Sequence, residues 1–101
     1  MTFEKVMEIF KEQFEIDKDI EVANFRRGYQ IFIWDSRQEC YIPNDELIQT
    51  PERLFEELLD ETRRFYKIKY RKPGTETVDD VHKLEIERII AELKNKYSQS
   101  V

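Results

Sequence analysis

The sequence predicts an α+β fold in the order helix, three-stranded antiparallel β-meander, then two helices packed on the sheet. Apolar residues recur every three or four positions near the N-terminus and alternate with a period of two between residues 20 and 42. Helical spacing returns after residue 50. The length of 101 residues corresponds to one domain. We therefore expect residues 1–101 to form a single domain, with residues 98–101 as a frayed tail.

The composition is that of a folded domain stabilised by packing rather than by cross-links. Apolar residues account for 40% of the chain, charged residues for 39%, and no apolar run approaches the ~20 residues that span a bilayer. A lone Cys40 cannot form an intrachain disulfide, and with a lone His82 it gives too few ligands for structural zinc. The N-terminus lacks the basic start and apolar stretch of a secretory signal. We expect a cytoplasmic protein with no membrane partner, no metal and no cofactor.

The first two helices are predicted from their caps and apolar stripes. Thr2 is a suitable N-cap for the first helix, and Thr50-Pro51 is a strong start for the second. The stripe of the first helix comprises Phe3, Val6, Met7, Phe10 and Phe14. The stripe of the second comprises Leu54, Phe55, Leu58, Leu59, Thr62, Phe65 and Tyr66. The strict alternation over residues 66–72 leaves a fourth strand open as an alternative to helix there.

The last helix is predicted to begin at Thr77, because Asp80 three residues later resembles the second half of a capping box. Pro73-Gly74 ends the preceding element in either case. The apolar residues of the last helix are Val78, Val81, Ile86, Ile89, Ile90, Leu93 and Tyr97.

The three strands are predicted to pair as two consecutive hairpins. A turn at Arg27-Gly28 uses the ability of glycine to adopt a positive φ, and it places Val22 opposite Ile33. A turn centred on Ser36-Arg37 places Cys40 opposite Ile33 as well. The third strand covers Glu39 to Ile42 and precedes a proline. Both registers put side chains of like character on the same face of the sheet.

The predicted sheet is apolar on both faces. One face collects the aliphatic residues with the thiol: Ile20, Val22, Ile31, Ile33, Cys40 and Ile42. The other collects Ala23 and four aromatic residues: Phe25, Phe32, Trp34 and Tyr41. Something must cover the aromatic face, and three covers are considered: the chain's own helices, a protein partner or second copy, and nucleic-acid bases. The interaction candidates are therefore Phe25, Phe32, Trp34 and Tyr41.

A basic and aromatic segment at residues 63–72 is the second candidate site. The chain carries a net charge of −5, which disfavours general attraction to nucleic acid, yet this segment holds six positive and no negative charges. The positive residues are Arg63, Arg64, Lys67, Lys69, Arg71 and Lys72. They suit phosphates, and Phe65, Tyr66 and Tyr70 suit stacking on unpaired bases. The plainer interpretation is that the bases offset the negative end of a helix while the aromatics fill the core.

Catalytic and metal sites find little support. Asp79, His82 and Glu85 lie three residues apart on one predicted helix face, but one histidine is a thin basis for a metal site. Cys40 lies within a strand on the aliphatic face, where we expect an inert, packed thiol. With two glycines in total, the chain cannot build a phosphate-binding glycine loop.

We therefore expect a non-enzymatic module that binds a protein partner or a second copy of itself. Binding of nucleic acid or another anion through residues 63–72 is the alternative. The Glu-, Lys- and Ile-rich composition resembles that of small accessory proteins of AT-rich bacteria or their phages, and no specific residue carries this likeness.

Overall fold

The structure is a computed structural model that describes residues 1–44 and 46–100. It confirms the α+β class with one three-stranded antiparallel sheet in the order β1-β2-β3. The elements are α1 (Phe3–Ile9), α2 (Lys11–Ile16), β1 (Ile20–Phe25), β2 (Gly28–Asp35), β3 (Cys40–Pro43), α3 (Pro51–Tyr70) and α4 (Asp80–Ser100). The chain divides into two compact units, residues 1–55 and residues 56 onward, and the boundary falls within α3. In the described part of the chain, no helix combines the length and apolarity needed to cross a membrane.

The N-terminal segment forms two short helices instead of the single helix that its spacing predicts. Thr2 caps α1 as expected, because its Oγ1 accepts a hydrogen bond from the Lys5 backbone N–H at 3.2 Å. The break falls at Phe10, whose φ of −92° and ψ of 6° lie in the bridge region between α and β conformations. The break accompanies burial of the Phe10 ring, which lies 5.5 Å from the Phe55 ring centroid.

Both hairpins form, but each register differs by two residues from the predicted one. Val22 pairs with Ile31, and the first turn lies at residues 26–27. In the second hairpin, Ile33 pairs with Ile42 across a four-residue turn at residues 36–39. Because side chains alternate with a period of two, a two-residue shift leaves every side chain on its predicted face. Ile31 and Phe32 therefore lie on opposite sides of the sheet, as expected.

The second turn is longer than predicted because Asp35 organises it. The Asp35 Oδ1 atom accepts hydrogen bonds from the backbone N–H groups of Arg37 at 2.8 Å and Gln38 at 3.2 Å. Glu39 closes the turn with a φ of 53°, a left-handed conformation that non-glycine residues seldom adopt. A carboxylate that satisfies two turn N–H groups stabilises the wider loop.

The core of the N-terminal unit lies on the aliphatic face of the sheet. Ile20 and Ile31 are buried there, and the Phe3 ring of α1 stacks on Tyr29 with centroids 5.1 Å apart. The backbone of Ile48 pairs with Tyr29 through two hydrogen bonds of 2.8 Å, a bridge that the sequence pattern did not predict. The aliphatic face is thus the inner face of this unit.

Helix α3 begins at the predicted cap and continues to Tyr70. The Arg53 N–H donates to the Thr50 Oγ1 at 3.1 Å, which confirms the cap. The strand alternative for residues 66–72 is wrong, because only Arg71 makes an isolated bridge, to Val78. The adjoining hydrogen bond, from the Lys72 N–H to the Thr77 carbonyl at 2.8 Å, makes residues 71–78 a closed loop.

Helix α4 begins two residues later than predicted, because its cap lies at position 79 instead of 77. Asp79, not Thr77, is the cap: its Oδ1 accepts the His82 N–H at 2.8 Å, and its carbonyl accepts the Lys83 N–H at 3.0 Å. Thr77 instead shares a side-chain hydrogen bond of 2.8 Å with Thr75 in the loop. The helix extends through residue 100, so residues 98–100 of the expected tail are helical, and Val101 lies outside the described residues. Its buried stripe is Ile86, Ile89, Ile90 and Leu93.

Candidate interaction surfaces

The aromatic sheet face presents an exposed pair of rings. Trp34 and Tyr41 are direct partners across β2 and β3, with ring centroids 5.1 Å apart and planes at 70°. This edge-to-face arrangement is one that aromatic rings prefer. Trp34 is 36% exposed and Tyr41 45% exposed, so the chain's own helices, one of the three covers considered, leave these two side chains accessible. Two large aromatic rings side by side are unusual on a solvent-exposed surface, and such a pair suits contact with another molecule.

The structure separates Phe25 from the other predicted interaction candidates. Phe25 pairs with Gly28, which is six residues from Trp34 along β2, or about 20 Å at the rise of a strand. Gln30, which lies between them on the same face, is buried. Phe25 is 51% exposed but belongs to a different part of the surface.

Pro43 joins the exposed rings although it was not among the predicted residues. It is exposed and lies directly opposite Phe32, which is half-buried and precedes Trp34 on the same face of β2. The observed register places it there, whereas the predicted third strand ended at Ile42. We use the term aromatic patch for Phe32, Trp34, Tyr41 and Pro43.

The outer edge of β3 is a poor template for an added strand. The Asn44 N–H donates to the Ile31 carbonyl at 2.8 Å, and bonded and non-bonded pairs alternate in an antiparallel ladder. The backbone groups of Tyr41 and Pro43 therefore point away from β2, and proline has no N–H to offer there. The strand is also only four residues long. Recognition at this edge consequently depends on the side chains of the aromatic patch.

The surroundings of the aromatic patch are acidic. Glu21 is exposed on the same face, directly opposite Phe32, and the Asp19 carbonyl accepts the Trp34 N–H at 2.7 Å. The two flanking segments, residues 17–21 and 35–39, contain five acidic and two basic residues. The whole N-terminal unit carries twelve acidic and seven basic residues. The patch therefore lies in a negative field.

The thiol of Cys40 is not packed as the sequence pattern indicated. Cys40 lies on the predicted face, but it is the first residue of β3, where it pairs with Asp35 and is exposed. The two-residue shift in register moved it from a position opposite Ile33 to the end of the strand.

Four of the six predicted basic residues line one open groove on α3. The groove has a volume of about 590 Å³. It is lined by Asp60, Arg63, Arg64, Lys67, Ile68, Arg71 and Glu76. Lys72 lines an adjoining cavity of about 480 Å³, which shares Ile68, Arg71 and Glu76 with the groove. Lys69 lies elsewhere, with its Nζ 5.7–6.0 Å from the ring centroids of Phe65, Tyr66 and Tyr70.

The aromatic residues of this segment are already engaged within the C-terminal unit. Tyr66 is buried, and the Phe65 ring packs edge-on against it with centroids 5.0 Å apart. Tyr70 stacks on the His82 ring at 4.4 Å. These contacts hold the rings that the sequence offered for stacking on bases, so the groove presents charge without an aromatic platform.

The predicted Asp79, His82 and Glu85 set does not converge on one point. The Asp79 Oδ2 lies 2.9 Å from the His82 Nδ1, whereas Glu85 binds Arg88 at 2.6 Å. Hydrogen bonds from the backbone and ring of His82 lower the pKa of Asp79, and the Arg88 side chain lowers the pKa of Glu85. Within residues 1–44 and 46–100, no group of three or more His, Cys, Asp and Glu side chains is placed to hold a metal ion. Asp79 caps α4 at the His82 N–H, and Glu85 belongs to a separate ion pair with Arg88.

The depressed pKa of Asp79 gives the cap a pH dependence. The folded pKa lies below the ordinary value of 3.8, so the stability that the carboxylate contributes is present above pH 3.8 and is lost as the pH falls through the folded value. Asp79→Asn keeps an oxygen acceptor for the His82 N–H but removes the charge. We expect the difference in melting temperature between wild type and Asp79→Asn to narrow below pH 3.8. Thermal unfolding followed by circular dichroism tests this, and a pH-independent difference would contradict it.

Burial raises the pKa of the Asp17 carboxyl, so this group stabilises the folded state less as the pH rises. This trend is opposite to that of Asp79. The wild type and Asp79→Asn share this group, and their difference is therefore insensitive to it.

Comparison with protein-family models, with curated proteins and with solved structures found no significant match.

Proposed function

We propose that this protein is a non-enzymatic, cytoplasmic interaction module that binds another protein through the aromatic patch. The observation that carries the proposal is the exposed Trp34 and Tyr41 pair on the face opposite the core of its unit. Tryptophan and tyrosine dominate the binding energy of many protein interfaces, because they bury a large rigid area and still offer a polar atom. Pro43 and the half-buried Phe32 extend the same surface.

The charge around the patch favours a partner segment rich in lysine and arginine. Five acidic residues against two basic ones flank the rings, so a positive partner gains both steering and cation–π contact with Trp34. A second copy docked patch to patch would bring the two acidic surroundings together, which is unfavourable. Addition of a strand at β3 is also disfavoured by Pro43. A basic segment that lies across the side chains fits both observations.

The test places a photoreactive residue in the patch. Tyr41 is replaced with p-benzoylphenylalanine in the full chain, and Phe25, an exposed aromatic about 20 Å away, is replaced in the same way as a matched control. We expect crosslinking from position 41, but not from position 25, to a segment of another protein that is rich in lysine and arginine. Crosslinking to a second copy of the chain, or equally from both positions, would overturn the proposal.

The affinity of that segment provides the quantitative prediction. With the segment as a labelled peptide, we expect Trp34→Ala to weaken binding at least ~30-fold, as at other tryptophan hot spots, and Phe25→Ala to leave it unchanged. Fluorescence anisotropy measures both variants, and circular dichroism shows that each is folded. Equal affinities of the wild type and Trp34→Ala would remove the patch as the binding site.

A further inference from the structure

The basic groove of the C-terminal unit presents a row of cations. Arg64 and Lys67 lie three residues apart on one face of α3, and Arg71, the first residue after the helix, lines the same groove. Arg63 lies beside the first of them on the same groove. A row of this kind matches a ligand whose negative charges repeat along its length.

Part of this positive charge is not neutralised by the protein. Arg63 lies 3.5 Å from Glu87, and Arg64 lies 3.5 Å from the buried Glu61. In the part of the chain that the structure describes, Lys67 and Arg71 form no ion pair. Asp60 and Glu76 line the same groove without forming an ion pair with either residue. The C-terminal unit carries equal numbers of acidic and basic residues, so the unpaired positive charge of Lys67 and Arg71 is a local feature of the groove.

The loop at residues 71–78 holds the backbone of Arg71, the last cation of the row. The backbone of Arg71 pairs with Val78, and the Lys72 N–H donates to the Thr77 carbonyl at 2.8 Å. Gly74 has a φ of 76°, a conformation that glycine adopts readily in a turn of the loop. The adjoining cavity extends the positive surface from Arg71 to Lys72. Arg71 is therefore the fixed centre of two connected depressions.

We propose that this groove binds the phosphodiester backbone of a nucleic acid without reading its bases. The groove is open and shallow, whereas a small-molecule site encloses most of its ligand. Guanidinium groups such as that of Arg71 bind phosphate oxygens in bidentate fashion, and the unpaired Lys67 adds a second positive charge in the same groove. The rings of Tyr66 and Tyr70 are occupied within the unit, which leaves charge as the means of recognition. The site is distinct from the aromatic patch.

The test measures binding as a function of salt. Labelled single-stranded DNA, single-stranded RNA and duplex DNA are titrated with the full chain by fluorescence anisotropy at low salt. With three to four phosphates contacted, log K for single strands should fall with log salt at a slope of about −2 to −3, and for the duplex somewhat more steeply. Comparison of the three probes shows whether affinity depends on the number of strands or on the sugar. Salt-dependent binding of any of them supports recognition of the phosphodiester backbone, which all three share.

Two variants and a matched control assign the binding to the groove. Lys67→Gln and Arg71→Gln should each weaken binding several-fold and reduce the steepness of the slope by about 0.7 per contact. Lys94→Gln makes the same charge change at an exposed position of α4 and should leave both quantities unchanged. Trp34→Ala should also have no effect, so failure here is independent of the aromatic patch.

Three results would overturn the proposal. The first is no binding of any of the three probes at low salt. The second is an equal loss of affinity in Lys94→Gln and Lys67→Gln, which would indicate general electrostatics. The third is competition by poly-glutamate as effective as that by unlabelled single-stranded DNA, which would identify an acidic protein as the ligand. Circular dichroism of every variant shows that the loss is not due to unfolding.

Discussion

Phe10→Ala is expected to destabilise the protein by about 3 to 5 kcal/mol, the range for removing a fully buried phenylalanine ring. The ring is 1% exposed and lies 5.5 Å from Phe55 and 6.2 Å from Phe14, centroid to centroid. The substitution removes its transfer free energy and leaves a cavity that neighbouring aromatic rings fill poorly. Urea denaturation followed by circular dichroism gives the free energy of unfolding. A domain of ordinary stability has about 5 to 15 kcal/mol in total, so the variant will be close to unfolding.

Phe25→Ala is the matched control for this loss. Phe25 is the same residue type in the same unit, but it is 51% exposed at the end of β1. Its removal should change the free energy of unfolding by no more than about 1 kcal/mol, since little apolar area leaves the interior. Similar losses in both variants would show that Phe10 does not anchor the core. Phe10→Leu should recover most of the stability if volume, rather than ring stacking, dominates.

The sheet shows which features of this fold follow from the sequence pattern. Period-two alternation predicts the face of each side chain, and a register shift of two residues does not alter it. The turns determine which residues pair across neighbouring strands, and each turn depends on a few local hydrogen bonds and backbone angles. Hydrophobic spacing does not reveal the two hydrogen bonds that the Asp35 carboxylate accepts from turn N–H groups, nor the positive φ of Glu39. The predicted faces are therefore right and both predicted registers are wrong.

The same distinction explains the candidate surfaces. The pattern identified Trp34 and Tyr41 as members of one face, but only the register shows that they touch and that Phe25 lies far from them. It likewise put Cys40 on the aliphatic face without revealing that the strand begins at that residue. Local spacing determines which face a residue occupies, and pairing determines its neighbours.

The environment of the basic segment could not be predicted fully, because it depends on contacts between residues distant in sequence. Its charge was evident from composition, and the placement of Arg64 and Lys67 on one helix face follows from helical spacing once α3 is known to reach Tyr70. The engagement of its aromatic residues was not predictable, because Tyr70 stacks on His82, twelve positions later and beyond a loop. The predicted cap of α4 was also wrong. Thr77 fits the capping-box pattern, but the Asp79 side chain accepts the hydrogen bond from the His82 N–H.

Gly28 was predicted to be a turn glycine, but the structure requires glycine there for a different reason. The sequence placed it in a turn, whereas it begins β2 with a φ of 151° and pairs with Phe25. A Cβ atom built on it would lie 2.7 Å from the Ile48 carbonyl oxygen. That oxygen accepts the Tyr29 N–H at 2.8 Å, and the Ile48 N–H returns a bond of 2.8 Å to Tyr29. The carbonyl cannot retreat without lengthening this bridge, so glycine is required by close backbone approach.

Gly28→Ala should therefore cost roughly 2 to 4 kcal/mol, combining the strain of a disfavoured φ with weakened bridge hydrogen bonds at about 1 kcal/mol each. Gly74→Ala separates the two causes, because Gly74 also has a positive φ, 76°, but no heavy atom lies within 4 Å of its built Cβ. Only the conformational strain remains there, about 1 to 2 kcal/mol. Urea unfolding of both variants compares them, and amide exchange at Tyr29 and Ile48 should accelerate in Gly28→Ala alone. A loss in Gly74→Ala as large as that in Gly28→Ala would mean that backbone conformation, not contact with Ile48, accounts for the glycine.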